Sequence, residues 1–499
     1  MWARGAKPTY RDAAVIDVGS NSVRLVLYRL EGRAIWTVYN EKVLAGLGRD
    51  LGTTGKLSPR GMADAMAALR RFRAVLDATR PDDVFTAATA AIRDAADGDH
   101  FARQVKAETG LSLRVLSGEE EAHYAAMGVL AGAPDCLGVV GDLGGASLEL
   151  TRLDPRGPGR GETLALGPFA LGYAKGDDPH RLRGEIEARI DAAASRFQAE
   201  TFHAVGGAWR NLALLHMRIS GYPLQIVHQY EMGRTEALNA ARLISRLSTS
   251  SLERIQGVSK KRLETLPYAA LVMETLVERL GLQRILLSAY GVREGMLFEA
   301  MPPALRGYDP LLAGCTTLGG RLATDELGPA LEAWLHPLLR ALPAAFGERD
   351  AVLVAASCRL ADLGATLHPD HRATLVFEQV LRAPIAGQTH AERAFLAVAA
   401  FHRHTAHDAL PEGETVARIL TDERRRRARA LGAAIRLGCD LSGRSADLLA
   451  HSKIMLEDGK LVLTAERRWA DMLLGEQTAR RAATLAQALG AKLEIRPSP

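Results

Sequence analysis

The sequence predicts an α/β protein in which one order of elements, βββαβαβα, is used twice, followed by an all-helical domain and a small α/β domain. Three observations predict it. A nine-residue stretch, Asp17-Val18-Gly19-Ser20-Asn21-Ser22-Val23-Arg24-Leu25, has a counterpart 125 residues further on, Asp142-Leu143-Gly144-Gly145-Ala146-Ser147-Leu148-Glu149-Leu150. Both copies carry Asp, then Gly two on, Ser five on and Leu eight on. Each copy lies between two apolar runs, the pattern of a strand, a small-residue turn and a second strand. The segments after each copy then alternate strand-like and helix-like patterns in the same order, which places the chain in the α/β class.

The elements follow in order. In the first half, Ala13–Ile16 and Leu25–Leu30 flank the turn, Ala34–Val43 is a third strand, and Leu44–Asp50 is a glycine-rich loop. Ser58 followed by Pro59 marks a helix start; Met62, Ala65, Met66, Leu69 and Phe72 keep helical period to about Leu76. A buried strand at Val84–Ala88, a helix near Phe101–Glu108 and a strand at Leu113–Leu116 lead to Ser117-Gly118-Glu119-Glu120-Glu121, which opens a helix reaching about Leu130. The second half repeats this with two strands in Leu137–Leu153, a third at Thr163–Leu166, a helix at Leu182–Phe197, a strand at Phe202–Val205 and a helix at Ala208–Met217. A helical insertion, Glu236–Leu280, precedes the strand Arg284–Ser288 and the helix Val292–Ala300.

Pro302-Pro303 and Tyr308-Asp309-Pro310 then break the pattern, and Leu311 to about Ala409 is Ala/Leu-rich with helical spacing. This stretch holds His336, His368, His371, His390, His402, His404 and His407, half of the chain's 14 histidines. His407-Asp408 forms an HD dipeptide of the kind seen in metal-dependent phosphohydrolases, although surface and core histidines would give the same composition. The last segment reads as an Arg-dense helix (Thr421–Leu437), a hairpin (Ser452–Met455 and Gly459–Thr464, turning at Glu457-Asp458), a helix (Glu476–Leu489) and a short strand (Lys492–Ile495). The expected domains are 1–134, 135–305, 306–415 and 416–499.

Composition narrows the function classes. A chain of 499 residues exceeds one core, and 47% hydrophobic with 24% charged residues is ordinary for a globular protein. No window approaches the roughly 18 apolar residues of a membrane span, and Met1–Arg11 is basic and polar, unlike a secretory signal. The four cysteines (Cys136, Cys315, Cys358, Cys439) are scattered, as expected of free thiols in the cytoplasm. The formal charge is +5, yet residues 416–499 alone carry 16 Lys+Arg against 10 Asp+Glu. A basic C-terminal segment suits a polyanionic partner, and equally a solvated basic face.

Small residues at the two turns let backbone N–H groups approach an anion, and the hydroxyls of Ser20, Ser22 and Ser147 add donors. Two such turns facing each other would cradle phosphate from both sides. The residue seven on from the Asp is Arg24 in one copy and Glu149 in the other, so one side would hold phosphate charge while the other manages a cation or a water. Hydrolysis of a phosphoanhydride needs charge neutralisation, a positioned water and a base. Arg24 and Arg93 are the candidate guanidinium contacts. Asp17, Asp142 and Glu149 are hard oxygen ligands suited to Mg²⁺ or Mn²⁺, and Glu121 is the candidate base. Glu119 to Glu121 would equally favour a helix N-terminus. Gly206-Gly207, between a strand and a helix, can seat an anion at the helix start.

With these motifs the chain resembles the exopolyphosphatase / guanosine pentaphosphate phosphatase family, within the actin-like (ribonuclease-H-like) ATPase superfamily. The resemblance is carried by Ile16 to Leu25, Thr53-Thr54-Gly55-Lys56-Leu57-Ser58, Ala88-Thr89-Ala90-Ala91-Ile92-Arg93-Asp94-Ala95, Ser117-Gly118-Glu119-Glu120-Glu121-Ala122, Asp142 to Glu149, and Gly291-Val292-Arg293-Glu294-Gly295, in the family's order. It implies two tandem actin-like domains, then a helical HD-like domain and a small C-terminal α/β domain. It further implies Glu121 as general base, with Asp142, Glu149 and Asp17 positioning Mg²⁺ or Mn²⁺ or the attacking water. Phosphate would be held by Arg93, Arg24 and the turns: Gly19, Ser20, Asn21, Ser22, Gly144, Gly145, Ala146, Ser147, Gly206 and Gly207. The substrate implied is inorganic polyphosphate, or guanosine pentaphosphate, cut by a homodimer with no membrane and no specific nucleic-acid partner. Three positions depart from the family's pattern: Ala146 and Leu148 stand where it has Gly and Thr, and Ala208 where it has Thr, each with the loss of a donor or of backbone freedom. Two other classes share the two-turn core, namely small-molecule kinases using ATP and non-catalytic sensors of polyphosphate or nucleotide.

Overall fold

The apolar runs around the first turn pair antiparallel as β1 (Tyr10–Val18) and β2 (Val23–Glu31), and β3 (Ala34–Val43) adds to β2. The computed structural model describes residues 10–171, 173, 179–247, 265–320 and 326–498. The chain divides into two units, Met1–Gly307 and Tyr308–Pro499. In the first unit, a short turn of helix α1 (Leu51–Thr54) precedes α2 (Pro59–Thr79), which has Ser58 at its N-cap and buries Ala65, Met66, Leu69, Phe72 and Leu76 at the predicted spacing. Strand β4 (Asp83–Ala88) lies parallel to β1 and completes a sheet of order β3-β2-β1-β4. Helices α3 (Ala90–Asp94), α4 (Gly98–Thr109) and α5 (Gly118–Gly132) follow. The strand expected at Leu113–Leu116 shrinks to a single parallel bridge, Ala88 to Val115.

The second half repeats the plan. Strands β5 (Gly138–Leu143) and β6 (Leu148–Asp154) form the second hairpin; a two-residue β7 (Gly157–Pro158) and β8 (Glu162–Leu164) both pair with β6. Helix α6 (Pro179–Ala194), β9 (Thr201–Val205) and α7 (Gly207–Ile219) come next. A strand that the periodicity does not show, β10 (Tyr230–Gly233), precedes the expected insertion, which holds α8 (Arg234–Arg246) and α9 (Leu266–Arg279). Residues 248–264 of the predicted insertion lie outside the described residues. Strand β11 (Arg284–Leu287) and α10 (Val292–Ala300) close the unit. Strands β5, β6, β8 and β9 pair in the same senses as β1, β2, β3 and β4, and β11 joins β9 in parallel as the Val115 bridge joins β4.

Each half lends its last helix to the other. Ala125, Ala126 and Val129 of α5 pack with Val140, Leu153 and Val205 of the second sheet. Met296, Leu297 and Phe298 of α10 pack with Ala13, Val15, Val26 and Tyr28 of the first. The two helices cross backbone to backbone: a Cβ at Gly295 would lie 1.9 Å from the Tyr124 carbonyl oxygen, and one at Gly128 would lie 2.1 Å from that of Gly291.

The unit Tyr308–Pro499 begins with helices Pro310–Gly319, Leu327–Arg340, Arg349–Arg359, Pro369–Arg382 and His390–His404. The Arg-dense helix Asp422–Leu441 packs against both His390–His404 and Glu476–Leu489. The hairpin Ser452–Glu457 and Lys460–Ala465 turns at Asp458-Gly459, one residue later than expected, because both take positive φ (47° and 72°), the conformation of a two-residue hairpin loop. Lys492–Pro497 adds in parallel. His407 and Asp408 lie beyond the end of the His390–His404 helix, and Asp408 is engaged by Arg429 at 2.6 Å. Among the described residues no group of three or more His, Cys, Asp or Glu side chains converges as a metal site, so the HD dipeptide has no assembled ligand set. No helix of the described residues is long and apolar enough to cross a membrane.

Candidate active site

The paired hairpins close in the same way. The Gly19 N–H donates to the Ser22 carbonyl at 3.0 Å, and 125 residues on the Gly144 N–H donates to the Ser147 carbonyl at 2.9 Å. Each turn is also gripped by the loop after its third strand. Gly46 and Gly48 N–H donate to the carbonyls of Asn21 and Ser20; Gly167 and Phe169 N–H donate to those of Ala146 and Gly145, the corresponding positions. The turn tips meet across the cleft, since a Cβ at Gly145 would lie 3.0 Å from the Ser20 Cβ. The space between them is a cleft of about 550 Å³, within the range of small-molecule sites.

Register explains the acids. Asp17 sits directly opposite Arg24 across β1 and β2, and Asp142 directly opposite Glu149 across β5 and β6. The second pair sets two like charges side by side, normally destabilising in a sheet. Glu121 joins them because α5 rests on the second sheet: Gly118 leaves no room for a Cβ against Thr163, and the Thr151 hydroxyl donates to the Ala122 carbonyl. The three consecutive glutamates divide the work. Glu120 forms a capping box with Ser117, accepting from its N–H at 2.8 Å while the Ser117 hydroxyl accepts from the Glu120 N–H at 3.1 Å. Glu119 is exposed and near Arg160. Glu121 is buried and borders the cleft. Burial, then the charge of Asp142, pushes Glu121 up to about 7. Burial and Asp17 push Asp142 up to about 7 as well. Glu149 is raised far above the ordinary range by burial and by Glu121, and Asp17 is raised by burial against the pull of Arg293 and Arg24.

Of the residues read from the sequence, Asp17, Gly19, Ser20, Asn21, Ser22, Arg24, Glu121, Asp142, Gly144, Gly145, Ser147, Gly206 and Gly207 border the cleft; Arg93, Ala146 and Glu149 do not. Arg93 instead donates to Glu121 at 3.2 Å and to the Leu116 carbonyl at 3.1 Å, and pairs with Asp94. It therefore orients the acid and lies behind it. Glu149 is 1% exposed, beside Asp142 on the neighbouring strand. The departures at Ala146 and Leu148 cost the cleft no side-chain donor, because both side chains are buried, Leu148 in the apolar core of the second half. Ala208 does border the cleft. Arg24 donates to Asn40 at 2.8 Å, and burial followed by the nearness of Arg293 lowers it to about 10.

The cleft lining also includes charged and amide side chains to which the sequence reading gives no role, among them Lys42, Arg210, Asn211 and Arg293. Arg293 was quoted within its motif without a role; it stands 3.7 Å from Asp17, brought there by α10 crossing back to the first sheet. Nothing in the sequence says which sheet α10 meets.

A divalent cation fits the acids. Both carboxylate oxygens of Glu149 are buried without a hydrogen-bond partner, and Asp142 and Asp17 offer further hard oxygens. Since no three of these groups converge as a closed cage, water and phosphate oxygens would complete the shell, as Mg²⁺ usually requires.

Two sheets of one plan, exchanged terminal helices and a cleft bordered by twin glycine-rich turns define a two-lobed α/β protein. Residues 26–304 match the model of the Ppx/GppA phosphatase family, and residues 333–496 match that of the exopolyphosphatase C-terminal region. The chain belongs to the Ppx/GppA phosphatase family. It is 27% identical to Retrograde regulation protein 2 of Saccharomyces cerevisiae over 80% of this chain and 73% of that one. It is 26% identical to the guanosine-5'-triphosphate,3'-diphosphate pyrophosphatase of Aeromonas hydrophila over 57% of this chain and 58% of that one. It is 25% identical to Exopolyphosphatase 1 of Mycobacterium tuberculosis over 58% and 87%. An exopolyphosphatase structure from Cytophaga hutchinsonii superposes with a TM-score of 0.54 at 20% identity, over 60% of this chain and 98% of that one. The Aquifex aeolicus family member does so at 0.51 and 23%, over 58% and 97%. These two show the fold.

Proposed function

We propose that the cleft hydrolyses the terminal phosphoanhydride bond of inorganic polyphosphate. The observation that carries this reading is Glu121, a buried carboxylate at about 7 beside two turns whose tips meet. A base with that affinity is half deprotonated at neutral pH and strong enough to draw a proton from water. The terminal phosphate lies between the Gly19–Ser22 and Gly144–Ser147 turns, where N–H and hydroxyl donors face its oxygens. Arg24 and Arg293 neutralise its charge, and Arg93 holds Glu121 in aim. A water beside Glu121 attacks phosphorus, its proton passes to the Glu121 carboxylate, and the bond to the bridging oxygen breaks. Orthophosphate and a polymer one unit shorter result. Asp142, Glu149 and Asp17 would hold Mg²⁺ or Mn²⁺, which when bound supplies positive charge against the developing phosphate charge. The surplus charge of residues 416–499 provides attraction for the rest of the polymer, and a homodimer is the proposed working form.

Guanosine pentaphosphate is the second substrate. It is favoured by the likeness to the Aeromonas enzyme and by the cleft's volume of about 550 Å³, which is large enough for a nucleoside as well as phosphate. Phosphate release from short polyphosphate, long polyphosphate and guanosine pentaphosphate, with and without Mg²⁺, ranks the two. Glu121→Gln should lose most of that release while keeping polymer binding; unimpaired turnover would refute the base. Binding without any release in the unaltered chain would instead mark a sensor.

A further inference from the structure

We propose that Arg210 and Asn211 form a second phosphate subsite, built on the start of α7, which takes the phosphoryl group next to the terminal one and so selects condensed phosphate over orthophosphate. The proposal rests on reading the cleft as a phosphate site.

The first turn of α7 is set by Gly206, at φ +106°, a conformation that favours glycine. A Cβ there would lie 2.6 Å from the Leu143 carbonyl oxygen and 3.1 Å from the Asp142 carboxylate. The helix start is thus pressed against the end of β5, directly beside the acids. Gly207, Arg210 and Asn211, spaced three and four apart, share the face that borders the cleft. Trp209, Leu212 and Ala213 face the core. Ala208 has no polar side-chain atom, so the side-chain donors of this turn are those of Arg210 and Asn211.

Both are available. The Arg210 guanidinium makes no hydrogen bond or ion pair among the described residues, its backbone N–H alone donating to the Gly206 carbonyl, whereas Arg293 faces Asp17 and Arg24 is held by Asn40. Desolvation in the cleft and the nearby Arg293 lower Arg210, against the opposing pull of Glu294. Asn211 is 8% exposed, and its amide nitrogen is buried without a hydrogen-bond partner. An unsatisfied buried donor is costly, and a phosphate oxygen would satisfy it. The free N–H groups at the start of a 13-residue helix add to the same anion site. A fork of guanidinium donors, an amide and a helix N-terminus suit a doubly coordinated phosphoryl group.

The test is equilibrium binding by calorimetry of tripolyphosphate and of orthophosphate, in Mg²⁺, on chains carrying Glu121→Gln so that no turnover intrudes. Arg210→Ala should weaken tripolyphosphate about 10- to 100-fold and orthophosphate by less than about twofold. Arg210→Lys should recover part of the loss, and Asn211→Asp, which puts an anion in place of the donor, should weaken tripolyphosphate further still. Arg210 is exposed to solvent in the cleft, so its truncation leaves the core intact. Unchanged tripolyphosphate affinity in Arg210→Ala, equal losses for both ligands, or no tripolyphosphate binding in the parent overturns the subsite. Phosphate release by the unaltered chain is measured separately. Its absence refutes the hydrolase reading without touching the binding result.

Discussion

Asp17, Glu121 and Asp142 border the cleft and Glu149 is buried next to them; burial raises all four, so their charge is a cost the folded chain carries alone. Glu121 and Asp142 rise to about 7 from ordinary values of 4.5 and 3.8. Between roughly pH 4 and pH 7 the folded state therefore retains protons that the unfolded chain has shed, and stability falls as pH rises through that window. Glu149→Gln removes the most deeply buried of these charges. It should raise the melting temperature by several degrees at pH 8 and by much less at pH 5, read by calorimetry without divalent ions. Mg²⁺ should act in the opposite sense to the repulsion: its stabilising shift should grow from pH 5.5 to pH 8, because the ligands must be deprotonated to bind it. A Mg²⁺ shift that shrinks over this range would overturn the proposal that Asp142 and Glu149 hold the metal. For turnover, kcat/KM in Mg²⁺ should climb toward neutral pH as Glu121 gives up its proton, and Glu121→Gln should flatten that limb while costing about 10²- to 10⁴-fold in rate.

At the scale of elements, the capping box at the head of α5 connects local structure to catalysis. Ser117→Ala removes one cap, worth about 1 kcal/mol, and also frees the first turn on which Glu121 is mounted. The rate should fall further than the melting temperature alone explains, with the apparent pKa of the remaining activity displaced. Much of this level was legible. Apolar period placed α2, the twin hairpins followed from Asp and Gly spacing, and the second half followed from the first. What was not legible has physical causes. The Leu113–Leu116 run forms only one bridge, because pattern marks a buried extended segment without telling how long its partner runs. Strand β10 is four residues long, too short for alternation to declare itself. Arg93 was assigned to phosphate by residue type and motif, but the direction of its side chain is set by Glu121 and the Leu116 carbonyl, a contact between distant elements. Arg210 and Asn211 gave no motif at all, since only the orientation of α7 brings them to the cleft.

The whole first unit depends on the crossing of α5 and α10. These helices carry Glu121 at one end and Arg293 at the other side of the cleft, and each is packed on the sheet of the opposite half. Their axes approach closely because Gly128, Gly291 and Gly295 meet without side chains, and the Tyr28 hydroxyl bonds Glu294 at 2.5 Å to fix the rotation of α10. A methyl at Gly295 would fall 1.9 Å from the Tyr124 carbonyl, inside the backbone of α5, where no rotamer can yield. Gly295→Ala must then push the helices apart and carry Glu121 away from Asp142, three residues upstream of the contact. A loss of roughly 3 kcal/mol or more is expected from overpacking of this kind, with a melting temperature lower by about 5–10 °C and activity lost well below the transition. Gly184→Ala is the matched control. It lies on the exposed face of helix α6 with open space around the added methyl, so helix propensity alone should stabilise the chain by up to about 1 kcal/mol. If Gly295→Ala behaved like Gly184→Ala, the crossing would not be what holds the acid and the paired turns together.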